Sequence, residues 1–166
     1  AGRLSFVRVG GVGGSSTATG IGPNGNLGTA IITNNGVLTF SSTTALTVNS
    51  IHGTGSMRVG YNTAVGAESQ NVTLTGVNTY SGDTRINMGT LTLPSGASIP
   101  NPPNIFITPP TAVSLITVTL DASASGLTLN SGQRLVGGAN NLAQNNTAQV
   151  SGNVTAGTGS AIVPGG

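Results

Sequence analysis

A short alternating unit recurs along this chain and limits what it can fold into. It appears as Val37-Leu38-Thr39-Phe40, Ala45-Leu46-Thr47-Val48, Val72-Thr73-Leu74-Thr75, Thr90-Leu91-Thr92-Leu93 and Leu127-Thr128-Leu129. Each unit places Leu, Val or Phe on one face and Thr on the other, the period of two that a half-buried strand requires. Thr suits the outer face because it is polar and β-branched at once. No window carries apolar residues at a sustained helical period, and 27 glycines with 8 prolines oppose helix throughout.

Leu38, Leu74, Leu91 and Leu127 are separated by 36, 17 and 36 residues. This spacing predicts a coil of about 18 residues, with Met57 and Ile107 or Pro109 near the two vacant positions. Roughly eight or nine such coils, stacked at strand spacing, would bury a continuous apolar column that no coil buries alone. Asn34-Asn35-Gly36, Asn87-Met88-Gly89 and Asn130-Ser131-Gly132 flank strands, where corners call for left-handed backbone. The expected fold is therefore an all-β, single-stranded parallel β-solenoid, which the regular spacing favours over an antiparallel sandwich. Residues 100–111 contain too many prolines for a central ladder strand and are predicted to leave the stack as a proline-rich excursion.

Residues 71–93 carry a longer pattern, Asn-Val-Thr-Leu-Thr-Gly-Val-Asn-Thr-Tyr-Ser-Gly-Asp-Thr-Arg-Ile-Asn-Met-Gly-Thr-Leu-Thr-Leu. It resembles the passenger-associated repeat of bacterial autotransporters at Gly76, Asn78, Thr79, Tyr80, Gly82, Thr84, Asn87 and Gly89. Residues 36–56 and 126–166 are similar to its neighbouring coils more weakly. The resemblance implies a right-handed parallel β-helix, secretion and a cell-surface location. It implies no particular activity, since the repeat is a scaffold. Nothing similar to an autotransporter's β-barrel translocator is visible in the chain.

The amino terminus reads differently. Arg3-Leu4-Ser5-Phe6-Val7-Arg8-Val9 is patterned as a strand, and Gly10-Gly11-Val12-Gly13-Gly14-Ser15-Ser16 is a flexible linker by composition. Residues 1–16 are thus expected to form a tethered strand ahead of a solenoid domain at 17–166. A tethered strand beside open sheet ends suits strand addition to a neighbour. Leu4, Phe6, Val7 and Val9 at this end, with Ile162 and Val163 at the other, are the candidate self-assembly residues; the competing reading makes Leu4–Val9 the chain's own first coil or cap.

Chemistry-bearing groups are sparse. Charged residues make up 5% of the chain, against about 25% in an ordinary domain. There is no lysine and no cysteine, and five arginines face Glu68, Asp83 and Asp121. The arginines are scattered in sequence, so phosphate neutralisation and nucleic-acid binding are not expected. Asp83 and Arg85 stand two apart on one strand and are expected to pair at the surface. His52 has no second histidine to complete a metal site, and no serine has a nearby base. The expectations are no enzyme activity, no cofactor, no metal, no small-molecule substrate and no transmembrane segment. Low charge instead favours self-association. The leading expectation is a structural subunit of an extracellular bacterial filament or surface layer, with the chain itself as partner. An adhesin-like passenger or spacer segment is the alternative. Ice binding through outward pairs such as Thr73/Thr75 and Thr90/Thr92 is a third class.

Overall fold

A computed structural model describes residues 7–9, 31–40, 45–60, 71–109, 116–138 and 146–164. Among these the secondary structure is all strand: β1 Val7–Val9, β2 Ile31–Thr33, β3 Val37–Phe40, β4 Leu46–Val48, β5 Ser50–His52, β6 Ser56–Val59, β7 Asn71–Leu74, β8 Thr84–Ile86, β9 Thr90–Thr92, β10 Asn104–Ile107, β11 Thr117–Asp121, β12 Leu127–Leu129, β13 Arg134–Gly137, β14 Thr147–Ser151, β15 Val154–Ala156 and β16 Ala161–Val163.

The strands sort into a recurring order. β3, β6, β8, β10, β13 and β16 are consecutive neighbours in one sheet, with β1 outside β3. β4, β7, β9, β11 and β14 form a second sheet. β2 pairs with β5 and β12 with β15 on a third, interrupted side, where Val77 and Ser98 add an isolated parallel bridge. The chain therefore visits the three sides in turn, and every pairing between successive visits is parallel. Parallel neighbours need a long crossover, and here the crossover is the rest of each pass. The arrangement is consistent with a β-solenoid.

Alternation decides what faces in. Down the seven-stranded sheet, Leu38, Met57, Thr84, Ile105, Leu135 and Ile162 stand in register, and Phe40, Val59, Ile86 and Ile107 form a parallel file beside them. All but Ile162 are buried. Leu46, Val72, Leu91 and Leu120 line the second sheet, and Ile32 with Ile51 the third. Burying one such Leu or Ile contributes about 1.5–3 kcal/mol, so the core is a column of small increments drawn from every pass.

The period differs from the expectation. Successive partners Leu38, Met57, Thr84, Ile105, Leu135 and Ile162 are 19, 27, 21, 30 and 27 residues apart. Met57 does fall beneath Leu38, but the leucines that suggested the period lie on different sides. Leu38 is in the first sheet, Leu74 and Leu91 in the second, and Leu127 in the third. Leu91 pairs with Val72 and Leu120, not with Leu74 or Leu127. The described strands make six passes, from β2-β3-β4 to β15-β16, and not eight or nine. Unequal loops between strands set the step, while the strands keep their register.

The proline-rich excursion is also corrected. Residues 104–107 form β10, a central strand held between β8 and β13. Pro102, Pro103 and Pro109 lie just outside those four residues, so none removes a ladder donor. The carbonyls of the approach are taken by amide side chains of the next pass. Asn130 Nδ2 donates to Pro100 O at 2.9 Å, and Gln133 Nε2 donates to Pro102 O at 2.6 Å.

At the amino-terminal edge, β1 lies antiparallel to β3, with Val7, Arg8 and Val9 opposite Phe40, Thr39 and Leu38. The strand-like segment is thus paired within its own chain.

Candidate functional site

The motif residues of the repeat meet at one corner. Asn78 is fully buried and serves three backbone groups. Its Oδ1 accepts from Ile51 N–H at 3.0 Å, and its Nδ2 donates to Gly76 O at 3.1 Å and Ser98 O at 3.3 Å. One side chain therefore joins the passes above and below where the strand ladder is missing. Thr79 N–H continues the link to Ile51 O, and Thr79 Oγ1 lies 2.5 Å from His52 Nδ1. His52 is a locally bonded corner residue. Tyr80 is wholly buried, with its hydroxyl 2.6 Å from Thr84 Oγ1. Burial pushes that hydroxyl well above the ordinary tyrosine range, and the Thr84 bond opposes this less strongly. Thr84 occupies a place in the inward column that is otherwise apolar, and Tyr80 supplies its partner.

Gly82 is required by a close approach. A Cβ there would stand 2.6 Å from the carbonyl carbon and oxygen of Gly55, whose own Cβ would stand 2.3 Å from Gly36 O. Gly36, Gly55 and Gly82 thus pack backbone on backbone through three passes. Gly76 and Gly89 have φ of +82° and +72° and turn the chain at strand ends. Asn87, buried, donates its N–H to Val59 O at 2.9 Å.

The candidate self-assembly residues fall at opposite ends of one sheet. β1, with Val7 and Val9, is its first strand, and β16, with Ile162 and Val163, its last; Leu4 and Phe6 lie outside the described residues. The two ends differ in cover. Ile32, Leu38, Phe40, Leu46 and Val48 of the first pass are all buried. In the last passes Ala148, Val150 and Val154 are only partly buried against the core, and Ile162 is 54% exposed.

The outer face of the seven-stranded sheet gathers charge that is dispersed in sequence. Thr39, Arg58, Arg85, Phe106, Val136 and Val163 stand in one register row, and the Cα of Arg8 is opposite Thr39. Arg134 lies in the adjoining row, beside Asn104. The reading of five scattered arginines is therefore corrected in space: four of them belong to this sheet. Arg85 pairs with Asp83 at 3.3 Å, as its spacing suggested, and its guanidinium lies 4.0 Å over the Phe106 ring. Asp83 also accepts from Asn104 Nδ2 at 2.8 Å. Arg58 has no ion pair among the described residues, and its Nε is shielded without a partner. The signal available in sequence was the repeated Met57-Arg58-Val59 and Thr84-Arg85-Ile86, each an arginine between two inward residues.

Of the acids, Glu68 lies outside the described residues. Asp83 precedes β8 and Asp121 ends β11, on different sheets. Asp121 is bonded to the Ser123 hydroxyl at 2.7 Å and the Ser123 N–H at 3.1 Å, which together hold its carboxyl below the usual range. Among the described residues no three His, Cys, Asp or Glu cluster as a metal site. No helix among them is long and apolar enough to cross a membrane.

On the second sheet, Thr47, Thr73 and Thr92 align outward and are followed by Asp121, while Thr90 and Thr119 align in the next row between Asn71 and Gln149. The threonine array is three long in one row and two in the other. On the third side, a cleft of about 150 Å³ separates Ala97–Pro100 from Ser125–Asn130.

No family model, curated protein or solved structure matches the chain.

Proposed function

We propose that the chain is a structural subunit of an extracellular bacterial filament or surface layer. In this reading it closes into a single-stranded right-handed parallel β-solenoid, and copies join head-to-tail by strand addition or coil stacking. The observation that carries the reading is the contrast between the two ends of the core. The inward Ile32, Leu38, Phe40, Leu46 and Val48 of the first pass are buried, whereas the inward column ends in half-covered Ala148, Val150 and Val154 and exposed Ile162. Such an end, with the outer edge of β16 unpaired among the described residues, is adhesive until a further strand or coil covers it.

β1 and β16 are the two outermost strands of one sheet. A neighbour's β1 laid along β16 therefore continues that sheet from copy to copy. The joint is strand addition to a sheet edge, in which β1 leaves β3 of its own chain for β16 of the neighbour. The low charge of the chain and the resemblance of residues 71–93 to a surface-exposed repeat support an extracellular scaffold without catalysis.

Electron microscopy of the protein as isolated from its source tests this. Long fibres of uniform width with a regular axial repeat are expected. Soluble monomers that persist at high concentration under native conditions would overturn the proposal. The second reading, a passenger or spacer segment of a larger autotransporter-type surface protein, rests on the eight matching positions of the repeat. It predicts isolated particles tethered to cell envelopes, and further repeats flanking these residues in the native gene product.

A further inference from the structure

We propose that the outer face of the seven-stranded sheet binds a carboxylate-bearing polysaccharide, with Arg58 and Arg85 as the carboxylate-binding pair. Neither residue belongs to the assembly surface or to the repeat corner, so the proposal does not depend on either.

Arg58 and Arg85 are register partners on adjacent strands, so their backbones are about 4.8 Å apart. Like charges directly opposite one another destabilise a sheet. Asp83 offsets only one of them, through a single contact at 3.3 Å to Arg85. Among the described residues Arg58 has no ion pair, and its Nε finds neither solvent nor acceptor. An anion placed between the two guanidinium groups removes this repulsion.

The groups around them decide which anion. Phe106 lies under the Arg85 guanidinium at 4.0 Å and fixes its plane, while Asp83 holds one of its nitrogens. The remaining edge is presented to solvent with Arg85 41% exposed. A planar, pre-oriented fork matches a carboxylate bidentately. Hydrogen-bonding groups adjoin the pair, with Ser56 and Asn104 flanking it, while Phe106, Val136 and Val163 continue the row as an apolar strip.

Charge density separates the possible polymers. Duplex nucleic acid carries one charge per about 1.7 Å and is held by many phosphate contacts. Among the described side chains this sheet offers Arg58, Arg85 and Arg134, with no lysine in the chain. Sparse cations among hydroxyl and amide groups instead complement a chain with one carboxylate per sugar and free hydroxyls between. Such a polymer also suits a subunit that works outside the cell.

The test is calorimetric titration of the full chain with polygalacturonate, neutral dextran and single-stranded DNA, at low and raised salt. Polygalacturonate is expected to bind, with affinity falling as salt rises. Arg85→Gln and Arg58→Gln are each expected to weaken binding about tenfold or more. Arg58→Lys keeps the charge, loses the fork, and is expected to bind less tightly than wild type with an unchanged melting temperature. Thr128→Ala, on another side of the stack, leaves affinity unchanged. Arg85→Gln lies at the surface and reports on binding even where Arg58→Gln perturbs the fold. Failure to bind polygalacturonate, equal binding of dextran, tighter binding of DNA, or wild-type affinity in Arg85→Gln would each overturn the proposal.

Discussion

The Tyr80 hydroxyl and Thr84 Oγ1 lie 2.6 Å apart inside the core, each the polar partner that the other's burial demands. Their bond fastens the corner to the first residue of β8. Tyr80→Phe leaves the threonine hydroxyl buried and unpaired, at a cost of about 1–3 kcal/mol. Thr84→Val removes that hydroxyl instead, and the double variant should cost less than the two single changes together. Urea unfolding of the four proteins checks this.

The same tyrosine makes stability fall in alkali. Its folded-state hydroxyl is raised above the unfolded value of about 10, because burial disfavours the phenolate. A raised group contributes stability that is fully present below the unfolded value and is lost as pH rises beyond it. Melting temperature should therefore drop from about pH 10 upward, and less so in Tyr80→Phe. Tyrosinate absorbance recorded through the same titration should show Tyr80 ionising only as the chain unfolds.

Two glycines of one file should respond differently to the same change. Gly82→Ala drives a methyl to 2.6 Å from the Gly55 backbone, which has no flexible end to yield. Overpacking of this kind costs about 1–3 kcal/mol. At Gly36 a Cβ meets nothing within 4 Å, so Gly36→Ala should lie within about 0.5 kcal/mol of wild type. Thermal melts of the pair separate a close-approach requirement from a general preference for glycine at corners.

Gln133 should prove the key to the proline-rich pass. Its Nε2 donates to Pro102 O at 2.6 Å and weakly to Ile99 O at 3.5 Å, and its Oε1 accepts from Asn130 N–H at 2.7 Å. Gln133→Ala strands these buried groups and should cost about 1–3 kcal/mol. Gln133→Glu keeps the acceptor but faces the Pro102 carbonyl with another oxygen, and should be at least as damaging. Denaturant midpoints measure both.

Ile162→Pro should block assembly and spare the subunit. Ala161 N–H bonds to Gln133 O, and alternation along β16 turns the Ile162 N–H to the free side. Proline is tolerated at such an edge because it removes only a solvent-facing donor. The variant should melt as wild type does yet form no fibres by electron microscopy. Unimpaired fibres would remove β16 from the joint.

Much of this architecture can be read from short-range pattern. Strand identity follows from alternation, since a half-buried strand leaves a two-residue signature whatever its partner. The Asp83–Arg85 pair follows likewise, because both residues lie on one strand face. Pass length does not follow, because it depends on loops whose size the buried column does not constrain. Gaps between Leu38, Leu74, Leu91 and Leu127 that fall near multiples of 18 therefore misled, joining residues on three different sides. Proline content misled at residues 100–109 for a related reason. What matters is whether a proline occupies a ladder donor position, and a four-residue strand fits between Pro103 and Pro109. An arginine between two inward residues was visible at Arg58 and at Arg85, but that the two stand side by side follows only from register, since they are 27 residues apart in the chain.

The interruption on the third side has a thermal consequence. No backbone hydrogen bond among the described residues ties Leu127–Leu129 to Ala97–Pro100, and a cleft opens there instead. The final portion of the stack is therefore fastened to the rest by two ladders where the earlier portion has backbone bonds on all sides. Cooperativity in stacked structures passes only between nearest neighbours. Heating should accordingly loosen the molecule at this seam, with amide exchange quickening beyond residue 125 while the block built around Phe40, Tyr80 and Ile105 stays protected.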